Sequence, residues 1–330
     1  MSFAPLTVHP HTDAARDAVR AAFRMSGATP QVTGHEWTLM GGTARAQILA
    51  APEGATALLE REGERLEQSW SRFISESELS RLNRSAGRPE TVSPTMIDLI
   101  IAMREGWRET DRQFDPTLLP AVIAAGYDRS RLDPTLVTTL PASARSGQNL
   151  DAIVLDGMRV TLPSAMTLDA GGIGKGLAAD CLAASLMELG AWGCVVEVGG
   201  DLRVRGDAPD GIAWRVAVED PFDATRTRAT VRLTEGGIST SSQRKRRWGQ
   251  PGSVQTHHLI DPHTLSSAAT TVQTVTVLAS TAARAETLTK PGFLRPITEY
   301  LAWLPTRGAA GLLIDDEGRE FATENWGDYA

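Results

Sequence analysis

Apolar and polar residues change rhythm partway along the chain. From His35 to Leu49 they alternate, which predicts a long strand interrupted at Gly41-Gly42. Leu58, Leu59, Leu66 and Trp70 then mark a helix that ends near Phe73. Ser77 to Asn83 reads as a short helical turn. Ser93-Pro94 opens a third helix reaching about Thr110, because proline suits the first helical turn. Asp115-Pro116 starts a fourth. Beyond residue 150 the pattern becomes short strands separated by turn residues, over 152–155, 159–162, 194–198, 202–204, 214–218, 227–233, 237–241 and 272–279. One helix beginning at Lys175 sits among them, and Ala282 to Lys290 forms another. The Pro-, Ser- and Gly-rich stretch 129–149 reads as a flexible excursion. Helices and mostly antiparallel strands therefore share the chain, and the expected class is α+β.

Composition narrows this picture. With 330 residues, 42% hydrophobic and 22% charged, the chain can bury a substantial core and has the balance of a globular protein. A net charge of −7 argues against general affinity for nucleic acid. The run Arg244-Lys245-Arg246-Arg247 opposes that balance, as a solvated loop or a phosphate-facing edge. Thr12 to Met25 reads as an amphipathic helix, with charges where a signal peptide would be apolar. Residues 1–33 are thus expected to be a helical extension, and 34–330 one catalytic domain. No run approaches the ~18 apolar residues of a membrane span. Cys181 and Cys194 read as reduced thiols, and the expected location is cytoplasmic.

Candidate chemistry begins at Asp169-Ala170-Gly171-Gly172-Ile173-Gly174-Lys175-Gly176, which runs into the predicted helix. Glycines opening a helix expose backbone N–H groups at its positive end, a site suited to phosphate. The spacing is neither a P-loop, since Gly176 follows Lys175 where Ser or Thr is needed, nor a dinucleotide fingerprint, since Gly172, Gly174 and Gly176 fall every second residue. Six further segments have unusual composition for core: Met40-Gly41-Gly42-Thr43; Ser77 to Asn83; Phe114-Asp115-Pro116-Thr117; Val198-Gly199-Gly200-Asp201; Ile238-Ser239-Thr240-Ser241-Ser242; and His258-Leu259-Ile260-Asp261-Pro262. Gly199-Gly200 also suits a hairpin turn, and Asp115 a cap. His257, His258, His263 and Asp261 invite a transition-metal reading, but neighbouring histidines on a strand face opposite ways.

In order and spacing, from about residue 35 to 315, these segments resemble the ApbE family, the FAD:protein FMN transferases. The resemblance implies a flavin-nucleotide groove, FAD as FMN donor, Mg²⁺ at its pyrophosphate, and a Ser or Thr of an acceptor flavoprotein as target, with AMP released. The alternatives are FAD hydrolysis to FMN and AMP, and FAD binding without turnover. By the same resemblance Met40 lies against a ring of FAD and Phe73 stacks on one, although either could fill core instead. Gln113, Phe114, Asp115, Asp169, Lys175 and Ile260 match cofactor contacts, the Gly172 carbonyl a metal ligand, and His258 the base that deprotonates the target hydroxyl.

The chain departs from the family pattern in one segment. Where the family places an Asp and, four residues on, a Thr at the metal, this sequence has Glu286 and Lys290. Glu286 reaches about 1.5 Å further than an aspartate. Lys290 is four residues on, so the two can pair on one helix face. The expectation is that Lys290 stands in for part of the metal's charge at the FAD pyrophosphate, with Glu286 holding it and Mg²⁺ still able to bind through Glu286 and Gly172.

Overall fold

The computed structural model describes residues 30–130, 132–244, 256–330 and the backbone of 247–248. The expected helix over Thr12–Met25 lies outside the described residues, as do Lys245 and Arg246 of the basic run. The strands are β1 (Val32–Leu39), β2 (Gly42–Leu49), β3 (Glu90–Thr91), β4 (Val154–Asp156), β5 (Arg159–Thr161), β6 (Gly193–Val198), β7 (Asp201–Gly206), β8 (Trp214–Glu219) and β9 (Thr227–Leu233). They continue as β10 (Gly236–Ser242), β11 (Arg247–Trp248), β12 (Thr256–His257), β13 (Ile260–Asp261), β14 (Ser266–Ser267), β15 (Val272–Ala279), β16 (Ala310–Asp315) and β17 (Glu320–Ala322). The helices are α1 (Ala55–Trp70), α2 (Glu78–Arg84), α3 (Pro94–Glu109), α4 (Leu119–Ala124), α5 (Gly174–Leu189), α6 (Ala282–Leu288) and α7 (Ile297–Trp303).

Eight of these strands form one sheet in the order β1-β2-β6-β7-β10-β15-β16-β17, antiparallel throughout. Together with the helices this gives an α+β fold. Both faces of the sheet are covered. On one, Ala44, Ala46 and Ile48 of β2 and Val196 and Val198 of β6 meet α1, α3 and α5. On the other, Val204, Ile238, Leu278 and Leu312 meet the β8–β9 hairpin through Trp214, Val216 and Val231. A third cluster joins Val275, Val277 and Leu313 to Leu288, Tyr300 and Leu304. The central strand β15 is consequently buried along nearly its whole length.

Two tight hairpins set the geometry of the site. Leu39 pairs with Gly42 across Met40 (φ 50°) and Gly41 (φ 74°), so the interruption expected at 41–42 is a reversal of the chain. Val198 pairs with Asp201 across Gly199 (φ 59°) and Gly200 (φ 97°). Both have positive φ at the two central residues, the arrangement that matches strand twist. Met40 takes this conformation despite its side chain, and its N–H donates to Glu67 Oε2 at 3.0 Å.

Helices α5 and α6 are locked together. Gly176 lets them touch, since a Cβ there would lie 2.5 Å from the Ala282 carbonyl oxygen. Asp180 of α5 accepts from the N–H groups of Ala282 and Ala283 at 3.0 and 2.9 Å, satisfying orphan donors at the start of α6. Thr281 accepts from Arg284 N–H.

Several elements differ from the sequence pattern. Asp115-Pro116 does not open a helix; Asp115 Oδ1 accepts from Thr117 N–H and Oγ1 at 2.8 and 2.7 Å, and α4 begins at Leu119. Helix α6 stops at Leu288 because Pro291 lacks a donor, and Lys290–Phe293 is a 3₁₀ turn. Among its described residues, the stretch 129–149 has no helix or strand beyond an isolated Arg129–Val137 bridge, yet it is tied down, with Thr138 buried against Arg72. The sequence pattern omits α7 and β16. The latter is buried on both faces, so Ala310-Gly311-Leu312-Leu313-Ile314 shows no alternation.

Candidate active site

Two adjoining cavities share Tyr127, Asp169 and Gly171 as a common wall. The first, about 110 Å³, is lined by Gln113, Phe114, Asp115, Gly172, His258 and Lys290. Ile260 also borders it and packs with Leu118 and Ala121. The second, about 320 Å³, is lined by Met40, Trp70, Arg72, Phe73, Leu136 and Lys175. The residues expected to contact a nucleotide thus fall on one crevice with two lobes, although they come from segments spread between residues 40 and 290.

The larger lobe is aromatic. The Arg72 guanidinium lies 4.3 Å from the Phe73 ring centroid and 4.7 Å from that of Tyr127, and the two rings are 5.8 Å apart. Arg72 is itself buried and donates to Thr138 Oγ1 at 3.0 Å and the Tyr127 carbonyl at 2.9 Å. Its Nε is 3.5 Å from Asp169 Oδ1. Phe73 therefore presents its ring beside an arginine that also anchors the shared wall. Neither Arg72 nor Tyr127 stands out in the sequence, where Phe73 is the visible aromatic.

The shared wall is the glycine-rich turn. Asp169 accepts from Gly171 N–H at 2.9 Å, which shapes the turn before α5. A Cβ on Gly172 would lie 3.0 Å from the Phe114 ring and 3.4 Å from Lys290 Cε, so this backbone sits hard against both. Burial raises the Asp115 carboxyl above the usual range, with its bonds to Thr117 opposing. Gln113 Oε1 accepts from Arg295 Nε at 2.5 Å.

Lys175 does not simply face the crevice. Its Nζ donates to Asp201 and, at 3.1 Å, to Glu286 Oε1. Asp201 and Glu286 are buried, and Asp201 also accepts from Ser239 Oγ. Glu286 Oε2 accepts from Gly176 N–H at 2.8 Å. Burial, then Asp201 nearby, raise the Glu286 carboxyl above the usual range, while Lys175, Lys290 and the Gly176 N–H pull it down. Asp201 stands in the sequence as the end of a hairpin turn. The apposition of that turn to Lys175 makes it part of the cluster, with a Gly199 Cβ position only 3.0 Å from Lys175 Cδ.

Lys290 acts on the Glu286 carboxyl electrostatically, and it also hydrogen-bonds to other oxygens. Lys290 Nζ donates to the Glu286 backbone carbonyl at 3.0 Å, Ser241 Oγ at 2.9 Å and Thr289 Oγ1 at 3.2 Å. The early end of α6 is the reason, because it turns Lys290 back over the last helical carbonyls. So arranged, Glu286 and the Gly172 carbonyl do not fit a resident Mg²⁺. The Glu286 oxygens are engaged by Lys175 and Gly176, and the Lys290 side chain comes, at Cε, within 3.4 Å of a Gly172 Cβ position. Among the described residues, no cluster of three or more His, Cys, Asp or Glu is placed to hold a metal.

His257 ends β12 while His258 lies in the bend that follows, so strand alternation does not govern the pair, and the two have different surroundings. His257 is buried, its Nε2 3.1 Å from the Ala268 carbonyl and its Nδ1 accepting from Leu259 N–H at 3.3 Å. His258 lines the smaller lobe. His263 is exposed, 3.4 Å from Asp261, and the set does not converge on one point. Arg244 is exposed, and its guanidinium lies 4.9 Å from the Phe222 ring centroid.

Residues 40–313 match the model of the ApbE family. The FAD:protein FMN transferase of Salmonella typhimurium is 31% identical over 262 residues, covering 77% of this chain and 74% of its own. That of Escherichia coli is 28% identical, covering 78% and 75%. The crystal structure of an ApbE protein from Thermotoga maritima superposes with a TM-score of 0.80 at 22% identity, covering 91% of this chain and 99% of that one. The flavinyl transferase ApbE of Pseudomonas stutzeri gives 0.75 at 25% identity, covering 91% and 97%. No described helix is long and apolar enough to cross a membrane.

Proposed function

The chain belongs to the ApbE family, and from that premise we propose that it transfers the FMN half of FAD to a Ser or Thr hydroxyl of an acceptor flavoprotein. The observation that carries this reading is the two-lobed crevice, whose aromatic lobe and histidine-bearing lobe meet at Tyr127, Asp169 and Gly171. The larger lobe, with Phe73, Tyr127 and Met40, takes a ring of FAD by stacking and apolar contact. The pyrophosphate lies at the shared wall, near the N-terminus of α5, where the helix dipole favours an anion.

In the reaction the acceptor hydroxyl oxygen bonds to the phosphorus of the FMN half, and the bond from that phosphorus to the bridging pyrophosphate oxygen breaks. AMP departs with the bridging oxygen. The hydroxyl proton passes to His258, a side chain whose ordinary pKa of about 6.5 suits a base at neutral pH. Phosphoryl transfer of this kind depends on positioning and charge neutralisation more than on covalent chemistry. Two lysines border the crevice for that purpose, Lys175 within its carboxylate cluster and Lys290 in the smaller lobe. The acidic chain and its two unbridged cysteines suit action on an acceptor in the cytoplasm.

Incubation with FAD and a candidate acceptor, followed by mass and product analysis, tests this. Transfer gives AMP and an acceptor heavier by FMN; AMP with free FMN would mean hydrolysis, and unchanged FAD would mean binding alone. His258→Ala should slow transfer by about 10²–10⁴-fold with FAD affinity little changed. An unaltered rate would remove His258 from the mechanism.

A further inference from the structure

Two ammonium groups flank Glu286, and they are held in different ways. Lys175 bonds to the carboxylates of Asp201 and Glu286. Lys290 Nζ donates to three neutral oxygens, Ser241 Oγ at 2.9 Å, the Glu286 carbonyl at 3.0 Å and Thr289 Oγ1 at 3.2 Å. These oxygens are tied to one another. Ser241 Oγ and Thr289 Oγ1 are 2.6 Å apart, and Thr289 Oγ1 donates to the Glu286 carbonyl at 2.7 Å. All three belong to buried residues. A converging set of hydroxyl and carbonyl oxygens is the kind of surrounding a hard divalent cation requires. In this chain a covalently attached ammonium fills it.

The ammonium is also in the right place to act on a ligand. Lys290 lines the smaller lobe with His258, and its Cε lies 3.4 Å from a Gly172 Cβ position, next to the wall common to both lobes. A divalent cation in the same oxygen set would have to displace this ammonium against charge repulsion.

We propose that Lys290 is the built-in cation of this site, neutralising the FAD pyrophosphate so that this chain binds FAD without a divalent metal. The inference rests on the FAD reading above and adds to it that Lys290 takes the place of a divalent metal. Loss of a charged hydrogen bond to phosphate corresponds to about a ten- to hundredfold fall in affinity.

The test is equilibrium binding of FAD to metal-stripped protein in EDTA and in Mg²⁺, by calorimetry or flavin fluorescence. The unaltered chain should bind within about twofold of the same Kd in both buffers. Lys290→Met should bind about ten- to hundredfold more weakly in EDTA. Lys290→Thr, which leaves the oxygens open, should become Mg²⁺-dependent. Melting temperatures without FAD separate lost binding from lost structure, and if the variants do not fold the unaltered chain decides alone. Tenfold or greater weakening of the unaltered chain in EDTA, or wild-type affinity of Lys290→Met there, would overturn the role of the lysine. Absence of FAD binding in either buffer would instead overturn the FAD reading and the proposal with it.

Discussion

At Lys175 one ammonium serves two buried carboxylates, Asp201 and Glu286, and the cluster is tied to the backbone through Gly176. Removing one partner of such a set leaves uncompensated buried charge, which costs about 3–5 kcal/mol. Lys175→Met should therefore lose about that much stability in urea denaturation, before any effect on ligand binding. Combining it with Asp201→Asn and Glu286→Gln should restore most of the loss, because Gln can still accept from Gly176. The sequence makes Lys175 conspicuous as a phosphate contact, since a lysine among glycines at a helix start is a local pattern. Its partners were hidden because they arrive from a hairpin turn and a distant helix, and no periodicity reports that meeting. Cys194 is a simpler case. Burial pushes its thiol up from about 9.0 to about 12, so the neutral form is the one the fold favours. That stability is present below the unfolded value and is lost as pH rises through about 12. Between these limits Cys194→Ala should flatten the fall of the denaturation midpoint with pH; an unchanged slope would discount the thiol.

Among elements, the α5–α6 contact brings Lys175 and Lys290 to the crevice and Glu286 beneath them. Gly176→Ala would set a methyl 2.5 Å from the Ala282 carbonyl oxygen, a backbone atom that cannot swing aside. The helices must part, at a cost of about 1–3 kcal/mol, and FAD affinity should fall alongside melting temperature. Full FAD affinity in this variant would show that the contact does not position the site. Helix starts such as Ser77 and Ser93 are legible because each uses a local cap, accepting from Ser80 and Met96 N–H. The hairpin at Gly199-Gly200 is legible for the same reason, as both glycines take positive φ. Strand β16 and helix α7 are not, because β16 is apolar on both faces and α7 packs on residues from α6, β15, β16 and β17 that are distant in sequence from one another.

Across the whole molecule, the sheet is covered on both faces, and the crevice is lined largely by turns and loops that follow or precede its elements. One flavin dinucleotide spanning both lobes is the claim that joins the aromatic wall to His258 and Lys290. A crystal of the unaltered chain soaked with FAD measures this most directly. The expected density is a single FAD with one ring against Phe73 and Tyr127, its pyrophosphate at Asp169–Gly172 within reach of Lys290, and His258 facing the phosphorus of the FMN half. FAD bound away from this crevice, or confined to one lobe with His258 and Lys290 untouched, would contradict it.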